Sequence, residues 1–129
     1  MATKISSRGM SREKKYEPGF EFHFGITDET TDTRHGTMTL TYFPPGSKSR
    51  SHIHENGDLA WYCISGKAIW ISGKERKEYV MEPGDFLYIP RGEVHSTINP
   101  SDKEPVNGIG CYFGCSNPYK SGKKEVPFD

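Results

Sequence analysis

Short apolar runs that alternate with polar residues, broken at close intervals by Gly and Pro, constrain this chain more than any other feature. In "FEFHFG" Phe20, Phe22 and Phe24 fall on one face and His23 on the other; "TMTLTYF" alternates Thr against Met38, Leu40 and Tyr42. "LAWYCIS" (59–65), "KAIWIS" (67–72), "EYVM", "FLYI" (86–89) and "VNGIGCYF" (106–113) follow, separated by turn signals such as "PPGSKS", "EPGD" and "PRGE". Successive strand residues point to opposite faces, so this period-two pattern reads as half-buried strands. The 14 Gly and 9 Pro punctuate eight or nine such strands, with no helical pattern and no internal repeat. That spacing predicts an all-β sandwich or barrel. Residues 19–115 form the expected single domain, residues 1–18 a polar, aperiodic, flexible arm, and residues 116–129 a polar C-terminal tail lying on the surface. By the apolar pattern, Met38, Leu40 and Tyr42 are expected to line the interior.

Charge is balanced, with 17 Lys+Arg against 17 Asp+Glu, and the basic residues do not cluster as a nucleic-acid surface requires. The Lys and Arg of the arm read as a solubilising tail. No apolar run approaches the ~18 residues of a membrane-spanning helix, and the N-terminus lacks the apolar core of a secretory signal. Three cysteines, Cys63, Cys111 and Cys115, make no disulfide framework, so reduced thiols in the cytoplasm are expected. The Cys111/Cys115 spacing alone is a poor zinc signal.

Two histidines, His52 and His54, stand at i and i+2 and therefore project to one side of a strand. Arg50 joins them if the strand starts that early, and could bind a carboxylate at the barrel mouth. His95 sits in another expected strand, just after "PRGE". Two imidazoles on one strand and a third on a neighbour suit a divalent metal, since neutral ring nitrogen binds iron, zinc, nickel and copper. Convergent imidazoles are otherwise costly to bury. His23 and His35 lack a partner at ligand spacing and read as ordinary surface residues.

"GSKSRSHIHENGDLAWYCISG" resembles the first motif of the cupin superfamily, with Gly46, His52, His54 and Gly66 in place. "GDFLYIPRGEVHSTIN" resembles the second, with Gly84, Pro90, Gly92, His95 and Asn99 in place. The resemblance implies a double-stranded β-helix (cupin, or jelly-roll, barrel). Turn glycines and the Pro90–Gly92 corner position the ligands rather than act. The cupin pattern carries a Glu seven residues before the closing Gly, where this chain has Leu59. Either Leu59 points inward with Trp61 and Cys63, leaving three histidines, or a β-bulge near Gly57 turns Asp58 inward as a fourth ligand. The apolar pattern favours the first. Glu55 should face away from both histidines.

The resemblance implies a metal-dependent enzyme acting on a small organic molecule, with His52, His54, His95 and, in the bulged alternative, Asp58 as metal ligands. An oxygenase with iron is the leading expectation; zinc, nickel, manganese or copper are alternatives for the ion. An isomerase, cyclase, lyase or dehydratase on the same barrel, or a non-catalytic binding module, stand as alternative functions. Tyr42, Tyr62, Tyr88 and Tyr112 carry hydroxyls able to orient a substrate, and Tyr62 is set beside His54 as the candidate catalytic pair. Cupins commonly pair through edge strands, so the resemblance implies a homodimer, to which the arm could add a strand.

Overall fold

A computed structural model describes residues 1–129. Ten strands follow one another in the chain: β1 (Glu21–Ile26), β2 (Met38–Phe43), β3 (His52–His54), β4 (Asp58–Ser65), β5 (Ala68–Ser72), β6 (Lys77–Met81), β7 (Phe86–Ile89), β8 (His95–Ile98), β9 (Val106–Phe113) and β10 (Lys123–Glu125). They form two five-stranded antiparallel sheets, ordered β1-β2-β9-β4-β7 and β10-β3-β8-β5-β6. This is the double-stranded β-helix that the resemblance of the two motifs implies, and one form of the all-β barrel expected from the strand spacing. No helix is long and apolar enough to cross a membrane.

The core lies between the inner faces. Trp61 of β4, Phe43 of β2 and Trp70 of β5 pack as one aromatic cluster, with ring centroids 5.7 Å (Phe43–Trp61) and 5.2 Å (Trp61–Trp70) apart. Burying each such side chain contributes ~1.5–3 kcal/mol. On β9, Gly110 pairs with Trp61, and the indole reaches diagonally over Gly108, where an added Cβ would lie 2.4 Å from the ring. The glycine is what lets the large ring lie flat on the neighbouring strand.

Strand β2 turns the other way from the sequence expectation. Thr39, Thr41 and Phe43 face inward and are buried, whereas Met38 and Leu40 are exposed on the outer face and Tyr42 is only partly covered. The reason lies in register. Thr39 stands against Gly110 and Thr41 against Gly108. There the hydroxyl of Thr41 accepts the Trp61 indole N–H at 2.9 Å, and that of Thr39 donates to the Gly110 carbonyl at 3.1 Å. Small hydroxylated side chains fit beside the indole and satisfy it; Met and Leu would do neither.

Both terminal segments are built into the barrel. Glu13 and Phe22 exchange backbone hydrogen bonds of 2.7 and 3.0 Å, which carries Tyr16 and Glu17 inward to buried positions. After a 3-10 turn at Pro118–Lys120, capped by the Asn117 side chain, β10 pairs with β3 so that Lys123 lies opposite His54 and Glu125 opposite His52.

Candidate metal centre

Strand parity puts His52 and His54 on the inner face of β3, and His95 opens β8 directly opposite His52. The corner that delivers His95 is Pro90–Arg91–Gly92. Gly92 takes φ 80°, a left-handed value that favours glycine, and its N–H bonds to the His54 carbonyl at 2.9 Å. The two motifs are thus tied to each other through the backbone as well as through the rings.

The three rings converge. Their centroids stand 4.3 Å (His52–His95), 4.9 Å (His52–His54) and 5.2 Å (His54–His95) apart, and one nitrogen of each lies within 4.8 Å of the others. All three are buried, at 7%, 2% and 1% exposure for His52, His54 and His95. Burial lowers the His52 pKa to about 4, with the nearby Lys123 and Arg50 charges adding to the effect. It takes His95 to about 3 and His54, further lowered by its two neighbouring imidazoles, to about 2. The triad is therefore neutral at physiological pH.

Hydrogen bonds fix which nitrogen faces inward. His52 Nδ1 lies 2.7 Å from the Arg50 carbonyl and His95 Nδ1 3.0 Å from the Glu93 carbonyl, so each Nδ1–H donates and each Nε2 keeps its lone pair. His54 Nδ1 is 2.9 Å from Ser121 Oγ, whose own hydrogen goes to the Pro118 carbonyl at 2.6 Å. The imidazole must therefore be the donor there too. Beyond it, Tyr16 donates to Tyr112 at 2.9 Å, and the Tyr112 hydroxyl stands 3.4 Å from His54 Nε2. His95 Nε2 is buried with no partner at all. Three neutral imidazoles with oriented Nδ1–H groups and inward lone pairs, one of them orphaned, fit a divalent ion of the zinc, iron, nickel or copper group.

Asp58 does not join them. Its carboxylate accepts the Arg91 backbone N–H at 2.9 Å and lies 3.5 Å from the Arg91 guanidinium. Pairing of β4 with β9 is regular from Asp58 to Cys63, so no bulge turns it inward, and Leu59 faces the cavity instead. Glu55 is exposed, as expected. Tyr62 is displaced from the catalytic role set for it: it lies on the outer face, its ring 4.7 Å from Phe86. Tyr88 is likewise outside, and Tyr112 alone of the four tyrosines reaches the triad. Arg50 is engaged at the rim by Glu17 and Glu125.

The triad opens on a cavity with about 50 Å³ of water-accessible space, lined by both tryptophans, Phe20, Phe22, Phe43 and other aromatic rings. That is room for roughly four water molecules. Glu17, Ser121, Tyr16 and Lys123 also belong to this site, and nothing in their sequence surroundings marks them: they sit in aperiodic polar segments with no spacing signal.

A cupin-domain family profile matches residues 39–109, more than half of the chain, and spans the barrel strands that carry all three histidines. The protein belongs to the cupin domain family. It is 37% identical over 54 residues to a quercetin 2,3-dioxygenase of Bacillus subtilis, covering 41% of this chain and 15% of that protein. The chain thus matches well under a fifth of that relative's length. Among solved structures it resembles the polyketide cyclase RemF of Streptomyces resistomycificus, with a TM-score of 0.79, 16% identity, and coverage of 98% of this chain and 87% of that one. It also resembles a Streptomyces nucleoside dehydratase, with a TM-score of 0.76, 11% identity, and coverage of 99% and 93%. At these identities the structural likeness establishes the fold.

Proposed function

We propose that this protein is a metal-dependent cupin enzyme for a small organic substrate, with His52, His54 and His95 holding one divalent ion, iron first, and oxidation by dioxygen as the reaction. The observation that carries the reading is the triad itself: three buried, neutral imidazoles with their Nδ1–H groups tied down and Nε2 of His95 left without a partner. A bound divalent ion would supply a Lewis acid for a substrate oxygen and, if iron, electrons for dioxygen. The protein's own contribution is to hold the rings in register, keep them unprotonated and exclude bulk water with an aromatic wall. Because no carboxylate joins the triad, the full charge of a divalent ion would remain in the cavity, which favours an enolate-like or carboxylate oxygen of the substrate. The similarity to a quercetin dioxygenase supports the oxygenase reading.

Metal analysis of protein purified without added metal tests the site: about one divalent ion per chain is expected in the wild type and near none in His54→Ala. Oxygen uptake by the iron-loaded protein across a panel of small enolisable compounds tests the reaction. Full turnover with zinc alone would overturn the oxygenase assignment.

One observation favours a second, non-redox reading as isomerase, cyclase or dehydratase. The Tyr112 hydroxyl beside His54 Nε2, backed by Tyr16, can hold a proton at the cavity and return it to a substrate. In that case Tyr112→Phe would abolish oxygen-independent turnover without changing metal content.

The chain pairs as a homodimer through the outer face of the β1-β2-β9-β4-β7 sheet, in this reading. Met38, Leu40 and Phe86 stand exposed there around an apolar trough floored by Ala60, Ile109 and Cys111. Such patches mark contact surfaces. The three cysteines are free thiols, which supports a cytoplasmic location.

A further inference from the structure

The cavity has a second polar centre, made by the two terminal segments. Glu17 is 2% exposed and lines the cavity together with Lys123. Glu17 Oε2 accepts from the Arg50 backbone N–H at 3.2 Å and from its Nε at 3.3 Å. Oε1 lies 2.7 Å from Lys123 Nζ, yet out of line for a hydrogen bond, so this buried oxygen has none. The Trp70 indole N–H, on the same cavity wall, is also buried and unpartnered. A buried ion pair contributes little net stability, because desolvating two charges offsets their attraction. Folding therefore gives no reason to set one on a cavity wall beside unsatisfied polar atoms.

We propose that the Glu17–Lys123 pair is the far end of a ligand subsite and that it reads a hydroxyl group on a small, flat, uncharged ring of the phenol or enol type. A hydroxyl can donate to Glu17 Oε1 and accept from Lys123 Nζ at once, leaving the pair intact. A carboxylate in the same place accepts from the lysine but is repelled by the glutamate. Phe22, Phe24 and Phe43 give the cavity flat apolar walls against which a ring can stack. Trp70 supplies one donor for a second oxygen on the ligand. The inference rests on the proposed function only in taking this cavity as the substrate site.

The experiment uses the full-length, metal-free protein, so that it stands apart from the metal assignment. Trp61 and Trp70 are the only two tryptophans and both line the cavity, which makes their emission a direct reporter. Phenol and benzoate are titrated separately. Saturable quenching by phenol at concentrations at least tenfold below those needed for benzoate is expected. In the Glu17→Gln/Lys123→Met double variant, which leaves neither charge uncompensated, that preference is expected to fall below twofold. Benzoate binding as well as phenol, quenching by neither, or a preference that survives in the folded double variant would each overturn the proposal. Should the variant not fold, the wild-type comparison of the two probes decides. A triad that holds metal while phenol shows no preference would sink this inference and leave the metal centre standing.

Discussion

At the scale of single residues, the triad's neutrality has a thermodynamic signature. An unfolded chain protonates its histidines as pH falls below their ordinary value of 6.5, whereas the folded protein resists until about 4 at His52 and about 3 at His95. The unfolded state then binds more protons, so stability is full above that ordinary value and is lost as pH falls through the window down to about 4. Each histidine contributes a slope of about 1.4 kcal/mol per pH unit there. Urea unfolding of the metal-free protein at about pH 7 and about pH 4.5 should show a loss of at least ~2 kcal/mol, and His95→Asn should reduce it, leaving the share of His52 and His54. Ser121 acts on the same triad through His54. Ser121→Ala removes the acceptor of the Nδ1–H and is expected to weaken metal binding by about 10–100-fold, read by competition with a chelating dye, and to cost about 1–3 kcal/mol of stability by leaving that buried donor unsatisfied. The histidines were legible because i and i+2 on a strand is a spacing with a geometric meaning. Ser121 was not: a serine in "YKSGKK" becomes a partner of His54 only when the chain folds back to add β10.

The strands themselves were legible from alternation, but which face of each turned inward was not always. Where one set of residues was clearly larger and more apolar, as Leu59, Trp61 and Cys63 in β4, parity identified the inner face. In β2 it pointed the wrong way, because Thr and Met alternate and apolar residues were assigned inward. The inner neighbours of β2 are glycines that make room for Trp61, a fact of β9 and not of β2. Two substitutions test this coupling. Gly108→Ala would drive a methyl into the Trp61 ring and should destabilise by about 1–3 kcal/mol, measured by denaturant midpoint. Thr41→Val keeps the volume but leaves the indole N–H without its acceptor, at a cost of about 1–3 kcal/mol, with a shift in tryptophan emission. Leu40→Thr, on the exposed face of the same strand, should change stability by less than ~0.5 kcal/mol.

For the molecule as a whole, the inverted parity of β2 has a second effect: it leaves Met38 and Leu40 on the outside of the β1-β2-β9-β4-β7 sheet. Phe86 of β7, at 81% exposure, stands on the same outer face. Sedimentation of the wild type should give about twice the chain mass of 14.6 kDa, and Phe86→Glu should return it to the mass of one chain while leaving the metal content unchanged. A wild type that sediments as one chain would remove the dimer.

Glu17 and Tyr16 reach the cavity from one end of the described chain, Ser121 and Lys123 from the other, and the histidines lie between. During synthesis the three imidazoles therefore emerge long before the serine that orients one of them and the lysine that stands beside them. A nascent barrel has its ligands but not the shell that aims them. If the triad holds an ion as proposed, tight loading would wait until the chain through Lys123 has been made, and a reporter fused close behind that residue would interfere with assembly of the site rather than with the stability of the sheets.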